Sequence, residues 1–283
     1  MIKNALIIFL IVATLTATAQ IKVPQPSPAG SVSTVVGLTD IKIEYSRPTA
    51  KGRKIFGKGD AFLVPFGKMW RTGANSGTTV TFSDDIKFAG VDVPKGTYLV
   101  LTIPEESEWT VILYNDVAMG GNLTKYDETK DQVRTKVKSA RLSEMVETMT
   151  FQITDLTADS KSANLQLSWE HTAVSVPISV DFDKEVMASI KENTVLNPNN
   201  LAGAANYYLN TGKDLKQALA WITEACVARP TAYWMMHSKA KIQKALGDKK
   251  GALVSANASK EEALKQSNND YVKMNDELIS SLK

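Results

Sequence analysis

Three arginines, Arg47, Arg53 and Arg71, are the side chains here best suited to recognition chemistry, and all fall between Lys42 and Arg71. That stretch holds eight Lys or Arg against two acids, Glu44 and Asp60, although the chain carries a formal net charge of only +3. Arg47 precedes Pro48, which fixes the local backbone, and Gly52 and Gly57 permit turns that other residues resist. A guanidinium is a planar, permanently charged fork that matches a carboxylate, a sulfate or a phosphate. Lys51 adds a point charge and Asn75 an amide, while Tyr45 and Trp70 offer faces to stack on a sugar or on the arginines. Three readings stay open for the stretch. The arginines bind an anionic small molecule, glycan or peptide; they pin a loop to the fold through buried acids or carbonyls; or they serve a catalytic centre.

Little else in the sequence competes. The two histidines, His171 and His237, are far apart, Cys226 is the single cysteine, and no HxxxH, HxH or CxxC occurs, so no zinc site is expected. Cys226 and His237 read as packing or surface residues, not as a catalytic pair. Without a P-loop or a GxGxxG there is no sequence support for a nucleotide cofactor, and no GxSxG elbow is present. No cofactor is expected. Asp84 and Asp85 read as an acidic turn more readily than as a cation site. Glu105, Glu106 and Glu108 form a solvated charge run, and they stand as the weak basis for a hydrolase reading. A near-neutral charge balance gives no global pull toward nucleic acid.

The elements that must position these residues follow the periodicity. Lys3, the apolar run Ala5 to Val12 and the small residues Ala17 and Ala19 predict a secretory signal peptide over 1–19. The run is too short for a membrane span, so no transmembrane anchor is expected after cleavage, and the protein is expected to be periplasmic or secreted. One cysteine allows no internal disulfide. Residues 20–30 are proline-rich and read as an extended lead-in.

Over 31–182 the period is two. Ile41, Ile43 and Tyr45 alternate with Lys42, Glu44 and Ser46, and later segments repeat the pattern. Ile86 to Val93 reads as one strand. Residues 115–131 read as a long loop. Gln132 to Lys138, Thr148 to Leu156, Ala163 to His171 and Val174 to Val180 read as four separate strands, with Pro177 placing the last at a sheet edge. The sum is an all-β antiparallel sandwich of roughly nine or ten strands. From Asp183 to the end, 183–283, the pattern turns helical. Ala218 and Ala252 open similar segments 34 residues apart, as in the tetratricopeptide repeat, where small residues sit at helix crossings. Tyr271, Met274, Leu278 and Leu282 mark a closing amphipathic helix.

Several blocks carry a family resemblance: Tyr45 to Pro48, Lys51 to Arg53, Ile55 to Gly57, Leu63 to Gly67, Trp70 to Asn75, Thr81 to Asp84, Pro94 to Tyr98 and Trp109 to Ile112. In this order they resemble the secreted bacterial family called domain of unknown function 2911, over roughly residues 24–180. The resemblance implies export, a β-rich domain and, in some members, tetratricopeptide-like helices behind it. It implies no activity. The expectation is a non-catalytic binding or scaffold module, with its ligand at Tyr45, Arg47, Lys51, Arg53, Trp70, Arg71 and Asn75. The alternatives are a hydrolase acting on an envelope polymer or glycan, and an assembly protein gripping a protein partner through its helical repeat.

Overall fold

The computed structural model describes residues 23–193 and 197–283. The expected signal peptide, and residues 20–22 of the lead-in, lie outside them. The chain divides into two units between Asp181 and Phe182.

The first unit is antiparallel β-structure. Its strands are β1 (Ala29–Val36), β2 (Thr39–Ser46), the two-residue β3 (Phe56–Gly57) and β4 (Val64–Pro65), and β5 (Thr78–Phe82). They continue as β6 (Ile86–Phe88), β7 (Val91–Val93), β8 (Gly96–Ile103), β9 (Glu108–Tyr114), β10 (Asp131–Thr154) and β11 (Ser162–Val180). Nine of them join in the order β1-β2-β5-β8-β9-β10-β11-β6-β7, and β3 and β4 pair separately in parallel. The all-β expectation holds, in a sandwich-like arrangement that is not a closed barrel. Alternation does the local work: Ile41, Ile43 and Tyr45 are buried, and Lys42 and Glu44 between them are exposed. Burying each isoleucine contributes about 1.5–3 kcal/mol.

Three strand boundaries differ from expectation. The four late segments are two long strands, because β10 runs without a turn from β9 to β11. It pairs β9 over Asp131–Lys138 and β11 from Ser139 onward. Register shifts between Arg141 and Val146, and between Val146 and Thr150, bend the ladder, as bulges do. The expected strand from Ile86 to Val93 is a tight hairpin instead, with Ala89 and Gly90 both at positive φ (49° and 84°) between β6 and β7. Nor does Pro177 mark an edge, since β11 lies between β10 and β6. Pairing with β10 has ended at Val174, so the missing N–H is not needed there, and the Pro177 carbonyl accepts from Ala89 N at 2.8 Å.

The second unit is helical: α1 (Asp183–Asn193), α2 (Pro198–Thr211), α3 (Leu215–Ala228), α4 (Tyr233–Ala245), α5 (Lys249–Lys265) and α6 (Asn269–Ser280). Asn197, Asp214, Asp248 and Asn268 cap α2, α3, α5 and α6 by accepting backbone N–H bonds in the first turn. α2 packs on α3, α4 on α5, and α6 on α5. Ala218, Ile222 and Ala225 in α3, and Ala252, Ala256 and Ser259 in α5, are wholly buried, so the small residues of both repeat copies do sit at helix contacts. No helix among the described residues is long and apolar enough to cross a membrane.

Candidate functional site

Past the end of β2 the chain does not leave the sheet. Residues 47–51 lie along β10: Met149 N donates to Pro48 O at 2.9 Å, Ala50 N donates to Glu147 O at 2.8 Å, and Thr49 bridges Thr148. Lys51 N then donates to a Glu147 carboxylate oxygen at 2.8 Å. These bonds fix where each side chain of the basic stretch can go.

Arg47 is a pin. Its Nε donates to Met149 O at 3.3 Å and Nη2 to Thr150 Oγ1 at 3.1 Å. The side chain crosses β1 so closely that a Cβ on Gly30 would lie 2.7 Å from Arg47 Cδ. Tyr45 is also structural. It is buried edge-on to Phe151 at 5.0 Å, and its hydroxyl accepts from Phe151 N at 3.1 Å, so it offers no free face for a sugar. Asn75 ties the lead-in down, its amide donating to Ser27 O and Ser46 Oγ at 3.2 Å each. The Lys51 side chain is exposed.

Arg53, Trp70 and Arg71 do come together. They line one cavity of about 290 Å³ with Pro48, Leu63 and Trp169 among its other walls. Arg53 is held by its own loop, Nε donating to Ala50 O at 3.0 Å and Nη2 to Thr49 O at 2.6 Å. Arg71 reaches only Gly121 O, at 3.5 Å through Nη1, and its buried Nε has no hydrogen-bond partner. A buried donor left unmet costs about 1–3 kcal/mol, and among the described residues Arg71 Nε is the one buried side-chain polar atom without a partner. None of the ion pairs among the described residues involves Arg47, Lys51, Arg53 or Arg71. The aromatic wall is rigid. Trp70 and Trp169 stack with centroids 5.9 Å apart and planes at 21°, and Phe56 meets both edge-on.

The turn that presents Arg71 is strained. Thr72, β-branched and fully buried, sits at φ 54°. Its Oγ1 lies 3.1 Å from Thr102 Oγ1, its carbonyl accepts from Thr78 Oγ1 at 2.5 Å, and Trp70 exchanges both backbone bonds with Thr102. These contacts hold the kink that turns Arg71 toward the cavity. Two contributors carried no usable signal in the sequence. Gly121, in the loop after β9, comes so close that a Cβ there would lie 2.6 Å from Asn75 O and 2.8 Å from Arg71 Cδ. Trp169 faces inward by strand alternation, but nothing in its own segment says that it meets Trp70.

The model of the family described as "Protein of unknown function (DUF2911)" matches residues 27–178, more than half of the chain. The chain belongs to this family. Its match runs from Ser27 in the cavity wall to Ile178 in β11, and so takes in every wall residue of the cavity. The helical unit lies outside it. No curated protein and no solved structure matches the chain.

A second charged cluster of the DUF2911 unit is satisfied within itself. Tyr126 OH lies 2.9 Å from both Asp131 oxygens, and burial followed by that carboxylate pushes its pKa up to about 12. Arg134 closes the group through Nε to Asp131 at 3.0 Å. In the helical unit His237 Nδ1 pairs with Asn275 Oδ1 at 2.8 Å, and burial pushes the Cys226 thiol up, so neither has the free, activated character that catalysis needs.

Proposed function

We propose that this protein is an exported binding module whose β unit takes a small anion, or the anionic end of a larger ligand, in the cavity of Arg53, Trp70, Arg71 and Trp169. The observation that carries the reading is the pair of guanidinium groups, delivered by two separate loops to one hollow without a carboxylate to neutralise them. An anion held in that hollow would be attracted by both positive charges, and its oxygens could accept guanidinium N–H groups that the protein leaves unused. The tryptophan wall favours a ligand with an apolar or ring face beside its charge.

The walls contain no carboxylate, histidine or cysteine, so a hydrolase would have to bring its acid and base from elsewhere, and the binding reading is preferred. The test is a thermal-shift screen with benzoate, a uronic acid and inorganic phosphate as probes. A ligand should raise Tm of the native protein and have no effect on Arg71→Met or Arg53→Met. The first should keep its unliganded Tm within a few degrees, and the second, which loses the bonds to Ala50 O and Thr49 O, should start from a lower Tm. Equal stabilisation of all three proteins would exclude the cavity.

A further inference from the structure

The cavity lies beside the start of an unguarded sheet edge. Among the described residues β1 pairs only with β2, so its other edge carries no strand. Its sequence, Ala29 to Val36, has no charge and no proline, and its eight-residue register with β2 is unbroken. Edge strands are commonly blunted by lysine, proline, bulges or shortness. The opposite edge follows that pattern, since β7 is three residues long and carries Asp92. β1 does not.

The direction in which its free groups point is readable. Arg47 N donates to Pro28 O at 2.8 Å, so Pro28 turns its carbonyl toward β2. By antiparallel alternation Ala29, Ser31, Ser33 and Val35 turn their N–H and C=O groups away from β2. A peptide adding antiparallel to β1 would therefore end its chain beside Ala29, two residues from Ser27, which is part of the cavity wall. At that end a free peptide carries a carboxylate.

We propose that the ligand is the C-terminus of an extended peptide or protein tail, which adds as a strand to β1 and places its terminal carboxylate between Arg53 and Arg71. This rests on the anion-binding reading of the cavity and names the source of the anion. Backbone bonds to β1 would supply sequence-tolerant affinity, and the arginines would select a free chain end. The last side chain would meet the Trp70 and Trp169 wall.

The test uses fluorescein-labelled peptides as long as β1, built from Val, Thr and Ala with a varied last residue, as free acids and as C-terminal amides. Free acids should bind, with amidation or Arg71→Met weakening binding about tenfold or more. Ser33→Pro, which removes an outward N–H, should abolish peptide binding and leave benzoate binding intact. N-methylation of the peptide at alternate residues should do the same without altering the protein. Benzoate binding with no peptide binding, or peptide binding indifferent to N-methylation and Ser33→Pro, overturns the strand-addition proposal and leaves the anion cavity standing. Loss of both benzoate and free-acid binding overturns both readings. Peptide binding indifferent to amidation, or a dimer broken by Ser33→Pro, assigns the edge to another occupant and overturns the proposal.

Discussion

Trp70 and Trp169 stack at 5.9 Å although one belongs to the turn before β5 and the other to β11. Each indole N–H is spent locally, Trp70 on Gly73 O at 3.1 Å and Trp169 on Glu147 O at 3.2 Å, so both rings are oriented by hydrogen bonds as well as by packing. Trp169→Ala should destabilise the β unit by about 3–5 kcal/mol, as expected for deleting a buried tryptophan. Urea unfolding followed by near-ultraviolet circular dichroism will measure it. A loss below about 1 kcal/mol would mean the stack does not support the cavity.

Arg47 and Arg71 should separate cleanly. Arg47→Met removes the bonds to Met149 O and Thr150 Oγ1 and should cost about 1–3 kcal/mol of stability, leaving anion binding unchanged. Arg71→Met should do the reverse, since it removes a poorly satisfied group. Paired chemical denaturation and ligand titration of both variants check the assignment, and swapped phenotypes would reverse it.

Gly121→Ala should act at a distance from any ligand. The new methyl would collide with Asn75 O, a backbone atom that cannot swing aside, and with Arg71 Cδ. The loop must then move off Arg71. A stability loss of about 1–3 kcal/mol is expected, with weaker ligand binding. Isothermal titration and urea unfolding of the variant report the two effects, and unchanged ligand affinity would show that the loop does not set the arginine.

The helical unit should be acid-sensitive through His237. Burial holds its pKa below the ordinary 6.5, against the Asn275 hydrogen bond, which raises it. The unfolded chain therefore takes up a proton at higher pH than the folded one, so stability is full above about 6.5 and falls as pH drops toward the lowered folded value. The positive charge of Lys241 also lowers the His237 pKa. His237→Gln should flatten that dependence. Urea titrations read by helical circular dichroism at neutral pH and near pH 5 will show it; parallel slopes for both proteins would remove His237 from the account.

Local period carried much of the fold. The β2 alternation and the small residues at Ala218 and Ala252 could be read because burial at those positions depends on an element's own geometry. The run of β10 from one layer to the other could not, since its bulges lie in a segment whose exposed face tolerates any polar residue. For the same reason the basic stretch was visible as a cluster while its division of labour was hidden. Which carbonyl a guanidinium finds is decided by chain that arrives from far away, here Met149 for Arg47 and Gly121 for Arg71.

Because β10 pairs with β9 along its first third and with β11 beyond it, one covalent spar serves both layers. Sliding one layer over the other would mean tearing a ladder inside a single strand. The spacing between Trp169 and the Arg71 turn is therefore fixed by one unbroken length of backbone and not by side-chain packing alone.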